Sequence, residues 1–304
     1  MQILNRESDS GLWTPPAQPG FQGSTLDQLV QAYQAYLQVR APDQYRLFQD
    51  RLRSNPDGAK AEAAVFSWLR FEKLTPSINE KPGQTGADFL CTPFGGQPFI
   101  VEVTSLNSVS TTTHSHLFDK GMLDGVAGHF SMITPQLVAK ADSKTRQLAT
   151  AATGSAGVLA ICLLHRGAPI LLSTLAAKWL LLSDPRIEVP ITATGEPGET
   201  AGVVYDFKYS VFLESRDSTI VPVRQSISAI LFISVFDRHN EIVGLLHPNP
   251  VTALNHRIFP KVPFLRLLWP ITNSVEMDWI VGDPSPAHTD QWPVVLTQEE
   301  LTGK

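Results

Sequence analysis

Gly86-Ala87-Asp88-Phe89-Leu90-Cys91 and Phe99-Ile100-Val101-Glu102-Val103-Thr104, joined through Pro93-Phe94-Gly95-Gly96-Gln97-Pro98, decide how this chain is read. Each half is a short apolar run interrupted by one acid. The glycine- and proline-rich segment between them predicts a hairpin. Strand alternation puts Phe99, Val101 and Val103 on one face and Ile100, Glu102 and Thr104 on the other, while Asp88 shares a face with Leu90 and Thr92. Asp88 and Glu102 are equidistant in sequence from Gly95. A hairpin symmetric about that glycine makes them cross-strand neighbours, with Cβ atoms about 4.5–5.5 Å apart. Two like charges so placed destabilise a sheet unless a cation lies between them, and carboxylate oxygens suit Mg²⁺ or Mn²⁺. A one-residue bulge in the turn would send the acids to opposite faces.

Working outward, residues 1–24 form a Pro- and Gly-bearing lead-in. Leu26, Leu29, Val30, Tyr33 and Leu37 then recur at helical spacing up to Pro42. A second helix is predicted over 43–53. With Arg40 just before it, this stretch carries Arg46, Arg51 and Arg53, and reads either as a solvated face or as a phosphate-facing edge. Asn55-Pro56-Asp57-Gly58 predicts a stop and turn. A third helix is expected over 59–73, with Val65, Phe66 and Leu69 as its apolar stripe and Glu62 on that stripe. A carboxylate facing a core requires a partner. Beyond the hairpin the pattern predicts a helix over 135–152, a buried strand over 158–164 and an apolar helix over 171–182. Strands are expected over 203–213, 228–236 and 242–246, and then a Pro-rich tail.

Gly86-Ala87-Asp88-Phe89, followed by Val101-Glu102-Val103-Thr104, resembles the PD-(D/E)XK, or restriction-endonuclease-like, nuclease core. A preceding helix bearing a glutamate is similar as well, and Glu62 matches it. The resemblance covers the segment 59–164. It implies an α/β fold with a mixed central sheet flanked by helices, here with an N-terminal helical extension over 1–57 and extra C-terminal strands within a domain over 58–304. It also implies Mg²⁺ or Mn²⁺ held by Asp88, Glu102 and the main-chain carbonyl of Val103, with Glu62 as a further ligand or a water-ordering group. Where the family has a proline before the aspartate, this chain has Ala87. Where it has a lysine two residues after the glutamate, this chain has Thr104, which supplies no positive charge. Lys140, Lys144 and Gln147, spaced four and three apart on one helix face, are candidates to replace it; Lys81 is a weaker one.

The implied activity is metal-dependent hydrolysis of nucleic-acid phosphodiesters, DNA before RNA. The alternative is a degenerate nuclease fold that binds nucleic acid or protein without turnover. Composition is compatible with either. With 43% hydrophobic residues the chain can bury a sizeable core, and a net charge of −5 excludes a whole-surface polycation but not a local basic face. Two cysteines, Cys91 and Cys162, exclude a disulfide scaffold and favour a cytoplasmic setting. No signal peptide or membrane span is read. His114-Ser115-His116, with Asp119 and His129 downstream, lacks a third ligand at zinc spacing, and His247-Pro248-Asn249-Pro250 reads as a turn. The apolar region 203–268 is a candidate dimer or partner surface.

Overall fold

The computed structural model describes residues 21–79, 86–106, 126–151, 154–164, 177, 180–182, 185–188, 191, 202–205, 207–217, 219–236, 239–271, 274–280 and 294–297. Three helices lead. α1 (Leu26–Arg40) starts at a capping box, in which the Thr25 hydroxyl accepts from the Gln28 N–H and the Gln28 side chain accepts from the Thr25 N–H. α2 (Pro42–Ser54) and α3 (Pro56–Phe71) each place a proline in the first turn, where no helical N–H bond is lost. Asn55-Pro56-Asp57-Gly58 both stops α2 and starts α3: the Asn55 N–H donates to the Arg51 carbonyl, and its side chain caps α3 by accepting from the Gly58 N–H at 3.3 Å.

The hairpin forms as β2 (Phe89–Cys91) and β3 (Phe99–Leu106), with Gly95 supplying the positive φ of 69° in the turn. A strand missed in the sequence, β1 (Pro76–Ile78), pairs antiparallel with β2. α4 (Val126–Ala151) then crosses over to β4 (Ala156–Leu163), which runs parallel to β3. α4 begins well before the expected 135 and carries Pro135 internally, giving up the bond that proline cannot donate. β9 (Ala229–Phe236) lies parallel beside β4, and β10 (His239–Leu246) returns antiparallel to β9. The segment read as a Pro-rich tail adds β11 (Phe264–Leu267), β12 (Ser274–Ile280) and β13 (Val294–Thr297), giving the nine-strand order β1-β2-β3-β4-β9-β10-β11-β12-β13. The single strand expected over 203–213 is instead split. β6 (Gly202–Tyr205) pairs with β5 (Pro185–Glu188), and β7 (Leu213–Arg216) pairs with β8 (Thr219–Pro222). Phe207, at φ 54°, turns the chain between β6 and β7. Most of the expected helix over 171–182 lies outside the described residues.

Both faces of the sheet are covered, making a three-layer α/β architecture. Val101, Val158, Ala160 and Leu231 pack beneath α1 and α3, while Ile100, Leu159, Ile161 and Phe232 pack beneath α4. Leu29, Tyr33, Leu37 and Phe48 of α1 and α2 belong to the first of these cores, so the N-terminal helices fold against the sheet layer as part of it. Among the described residues no helix is long and apolar enough to cross a membrane.

His247, just after β10, is a buried member of this framework rather than a surface turn residue. Its ring packs on Phe212 with centroids 4.5 Å apart, Nε2 lies 2.7 Å from the Val223 carbonyl, and Nδ1 accepts from the Asn249 N–H at 2.9 Å. These contacts suit the neutral ring alone, because a proton on Nδ1 would face the Asn249 N–H. Burial pushes its pKa down to about 4, with Arg224 adding to the effect and the Val223 bond opposing it. An unfolded histidine titrates near 6.5. Between these values the unfolded chain binds more protons, so the contribution is whole above pH 6.5 and is lost as pH falls toward 4. The loss is about 3 kcal/mol. Urea unfolding at pH 7 and pH 4 is expected to show a smaller acid loss in His247→Gln than in wild type; equal losses would refute this origin.

Candidate active site

The ladder between β2 and β3 pairs Phe89 with Val101, Leu90 with Ile100 and Cys91 with Phe99, the register symmetric about Gly95. One step further along, Asp88 stands opposite Glu102. Asp88 lies just outside β2, and there the two strands part. Its carboxylate takes over the bond that a continuing strand would have made, Oδ2 accepting the Val103 N–H at 2.7 Å. The loop before it is pinned from the other side. The Asn79 N–H donates to the Asp88 carbonyl at 2.8 Å, and Asn79 Nδ2 donates to the Ala87 carbonyl at 3.2 Å.

Glu102 is 1% exposed, on the face of the sheet that α4 covers. Two side chains from α4 meet its carboxylate. Lys144 Nζ pairs with Oε1, and Gln147 Nε2 donates to Oε2 at 2.8 Å. Gln147 Nε2 also donates to the Gly86 carbonyl, while its Oε1 accepts from Lys144 at 3.2 Å. The i,i+3 spacing of Lys144 and Gln147 thus ties the Asp88 loop, β3 and α4 together. Lys140 lies one turn earlier on α4 and is half-buried. Thr104 is buried at 8% exposure two residues beyond Glu102.

Glu62 has the partners that its place on an apolar stripe demanded. Its Oε1 accepts from Tyr33 Oη at 2.7 Å and from Arg51 Nη2 at 2.9 Å. The Tyr33 hydroxyl is pushed well above its ordinary pKa by burial first, then by the charge and hydrogen bond of Glu62, with the Asp88 charge adding and Arg51 opposing. The Asp88 charge is thus felt at Tyr33. The sequence singled out Glu62, Asp88, Glu102 and Lys144; it did not single out Tyr33 or the Gly86 carbonyl, and it noted Arg51 only as part of a basic stretch.

The oxygen donors at the fork are the carboxylates of Asp88 and Glu102 and the Val103 carbonyl. In a strand that carbonyl points to the same side as the residue's N–H, which here faces Asp88. Such hard oxygens fit Mg²⁺ or Mn²⁺ in chemical type. Among the described residues no three His, Cys, Asp or Glu side chains gather as a metal-binding group. Cys91 and Cys162 are free and buried, and burial pushes both thiols up, which makes them poor ligands and nucleophiles. Lys81, His114, His116 and Asp119 lie outside the described residues, as does the side chain of His129. Comparison with known protein families, curated proteins and solved structures found no match to this chain.

Proposed function

We propose that this chain is a divalent-metal-dependent nuclease of the PD-(D/E)XK kind, hydrolysing phosphodiester bonds in DNA. The observation that carries this reading is the convergence of Lys144 and Gln147 on Glu102, beside the fork where the Asp88 carboxylate accepts the Val103 N–H. The element order supports it too. A glutamate-bearing helix, a three-strand antiparallel meander, a crossover helix and a parallel fourth strand follow one another, with Asp88 just before the second strand and Glu102 on the third.

Asp88, Glu102 and the Val103 carbonyl are the residues that would hold Mg²⁺ or Mn²⁺. When bound, such an ion polarises the scissile phosphate and lowers the pKa of water. Lys144 supplies the positive charge that Thr104 lacks, stabilising negative charge that develops on the phosphoryl oxygens. Gln147 fixes Glu102 relative to the Asp88 loop. Glu62, held by Tyr33, orders the attacking water. A rival reading, a fold that binds nucleic acid or protein without turnover, is favoured by Thr104 at the position of the missing lysine.

Cleavage of a labelled DNA oligonucleotide panel with Mg²⁺ and Mn²⁺ separates the two. Wild type is expected to cleave, and Asp88→Asn to fall to background while melting like wild type. A folded wild type that binds the panel without cleaving it under any of these conditions would leave the binding module as the function.

A further inference from the structure

We propose that Arg51 is a ligand for a backbone phosphate of the substrate, and that Glu62 holds it at the site in the free protein. This rests on the nuclease reading above and extends it by giving the N-terminal helices a substrate contact. Arg51 sits in the last turn of α2 and reaches across to Glu62 on α3. Its side chain is 32% exposed, against 9% for the Glu62 side chain, so Arg51 is the most open member of its cluster with Glu62 and Tyr33, although its Nε is buried. Arg51 is in direct contact with Glu62, the group to which the proposed function gives the attacking water, and that contact is what places it at the site.

Charge and chemistry point the same way. The stretch from Arg40 to Ser54 carries four arginines against two aspartates, in a chain that is acidic overall. Guanidinium binds phosphate by the same planar donor geometry with which it binds carboxylate, so a phosphate oxygen competes directly for the Glu62 position. Parting the guanidinium from a carboxylate whose side chain is 9% exposed costs free energy, which the phosphate contact must exceed. Glu62 is not orphaned by it, because the Tyr33 hydroxyl continues to donate to the same oxygen. Departure of the guanidinium also leaves Glu62 a stronger acceptor at the moment a water must be ordered. Substrate arrival and readiness of the carboxylate are thereby coupled.

The test is fluorescence anisotropy of a labelled 20-base-pair DNA duplex, with Ca²⁺, another hard oxygen-seeking cation, in place of Mg²⁺. Salt titrations are run on wild type, Arg51→Gln, Glu62→Gln and the double variant. Arg51→Gln is expected to weaken binding about five- to tenfold and to flatten the slope of log affinity against log salt by about 0.9, the loss of one phosphate contact. Glu62→Gln removes the internal competitor and is expected to tighten binding about threefold, a gain that misfolding does not produce. The double variant should bind as Arg51→Gln does. An unchanged slope in Arg51→Gln, or a Glu62→Gln variant that binds no tighter than wild type, overturns the proposal. If wild type cleaves DNA while these variants keep the wild-type slope, only the Arg51 assignment fails. If wild type neither binds nor cleaves DNA, the nuclease reading fails with it.

Discussion

Lys144→Met is expected to lower the unfolding free energy by about 3–5 kcal/mol, because it removes the cation from a buried carboxylate and leaves the charge in place. The Glu102 side chain is 2% exposed and that of Lys144 is 26% exposed, so water reaches the lysine but scarcely the acid. Gln147, which also donates to Glu102, is neutral and is shared with the Gly86 carbonyl. Removing both charges together avoids the penalty, so Glu102→Gln/Lys144→Met should unfold much closer to wild type. Urea denaturation of the three proteins measures this. Turnover should also fall by about 10²–10³ in Lys144→Met, the scale of losing one preorganised charge donor at a reacting oxygen. In the double variant activity should stay lost although stability returns, which separates chemistry from folding. A Lys144→Met protein as stable as wild type would show that the pair is not the support of Glu102 that its geometry indicates.

Trp68→Ala is the second large effect, expected at about 3–5 kcal/mol. The indole is 2% exposed and stacks on Phe259, with centroids 5.4 Å apart and planes 13° from parallel. Phe259 in turn meets the ring of Phe99 at 5.6 Å and that of Phe264 at 6.0 Å. Trp68 thus joins α3 to β3, to β11 and to the loop before β11, which are far apart in sequence. Its removal leaves a cavity bordered by aromatic rings that are themselves fixed, so little collapse is available to fill it. Trp68→Phe should recover most of the loss, since a smaller ring still stacks on Phe259. Denaturant midpoints of the two variants test this, and equal midpoints for Ala and Phe would show that the stack contributes little.

The hairpin and its register were legible because they depend on local information, namely alternation on either side of a glycine that tolerates positive φ. Lys140, Lys144 and Gln147 were legible as one helix face by their spacing, and the meeting of Lys144 and Gln147 with Glu102 follows from α4 covering that face. Glu62 announced a need through its place on an apolar stripe, but spacing does not name a partner. Tyr33 and Arg51 come from 29 and 11 residues away, by packing of α1 and α2 against α3. β1 was hidden because three residues beginning with a proline carry no readable period. β11 and β12 were hidden for a related reason: they are short strands among prolines, and only their neighbours in the sheet make them strands. The start of α4 was misplaced because a proline is read as a first-turn residue, although a long helix backed by a sheet tolerates one inside.

The crossover from β3 to β4 also bears on the order in which the molecule acquires its chemistry. Tyr33, Arg51, Glu62, Asp88 and Glu102 all lie within the first 106 residues, where helices and a hairpin make short-range contacts. Lys144 comes 42 residues after Glu102, and β9, which closes the other side of β4, comes later still. Contacts of that span form slowly, since a long loop must close before they repay it. During synthesis, therefore, the acids emerge before the cation that neutralises the most buried of them. A half-made chain repels itself at its own centre. The pairing of Lys144 with Glu102 marks the stage at which the most buried of these acids gains its counter-charge.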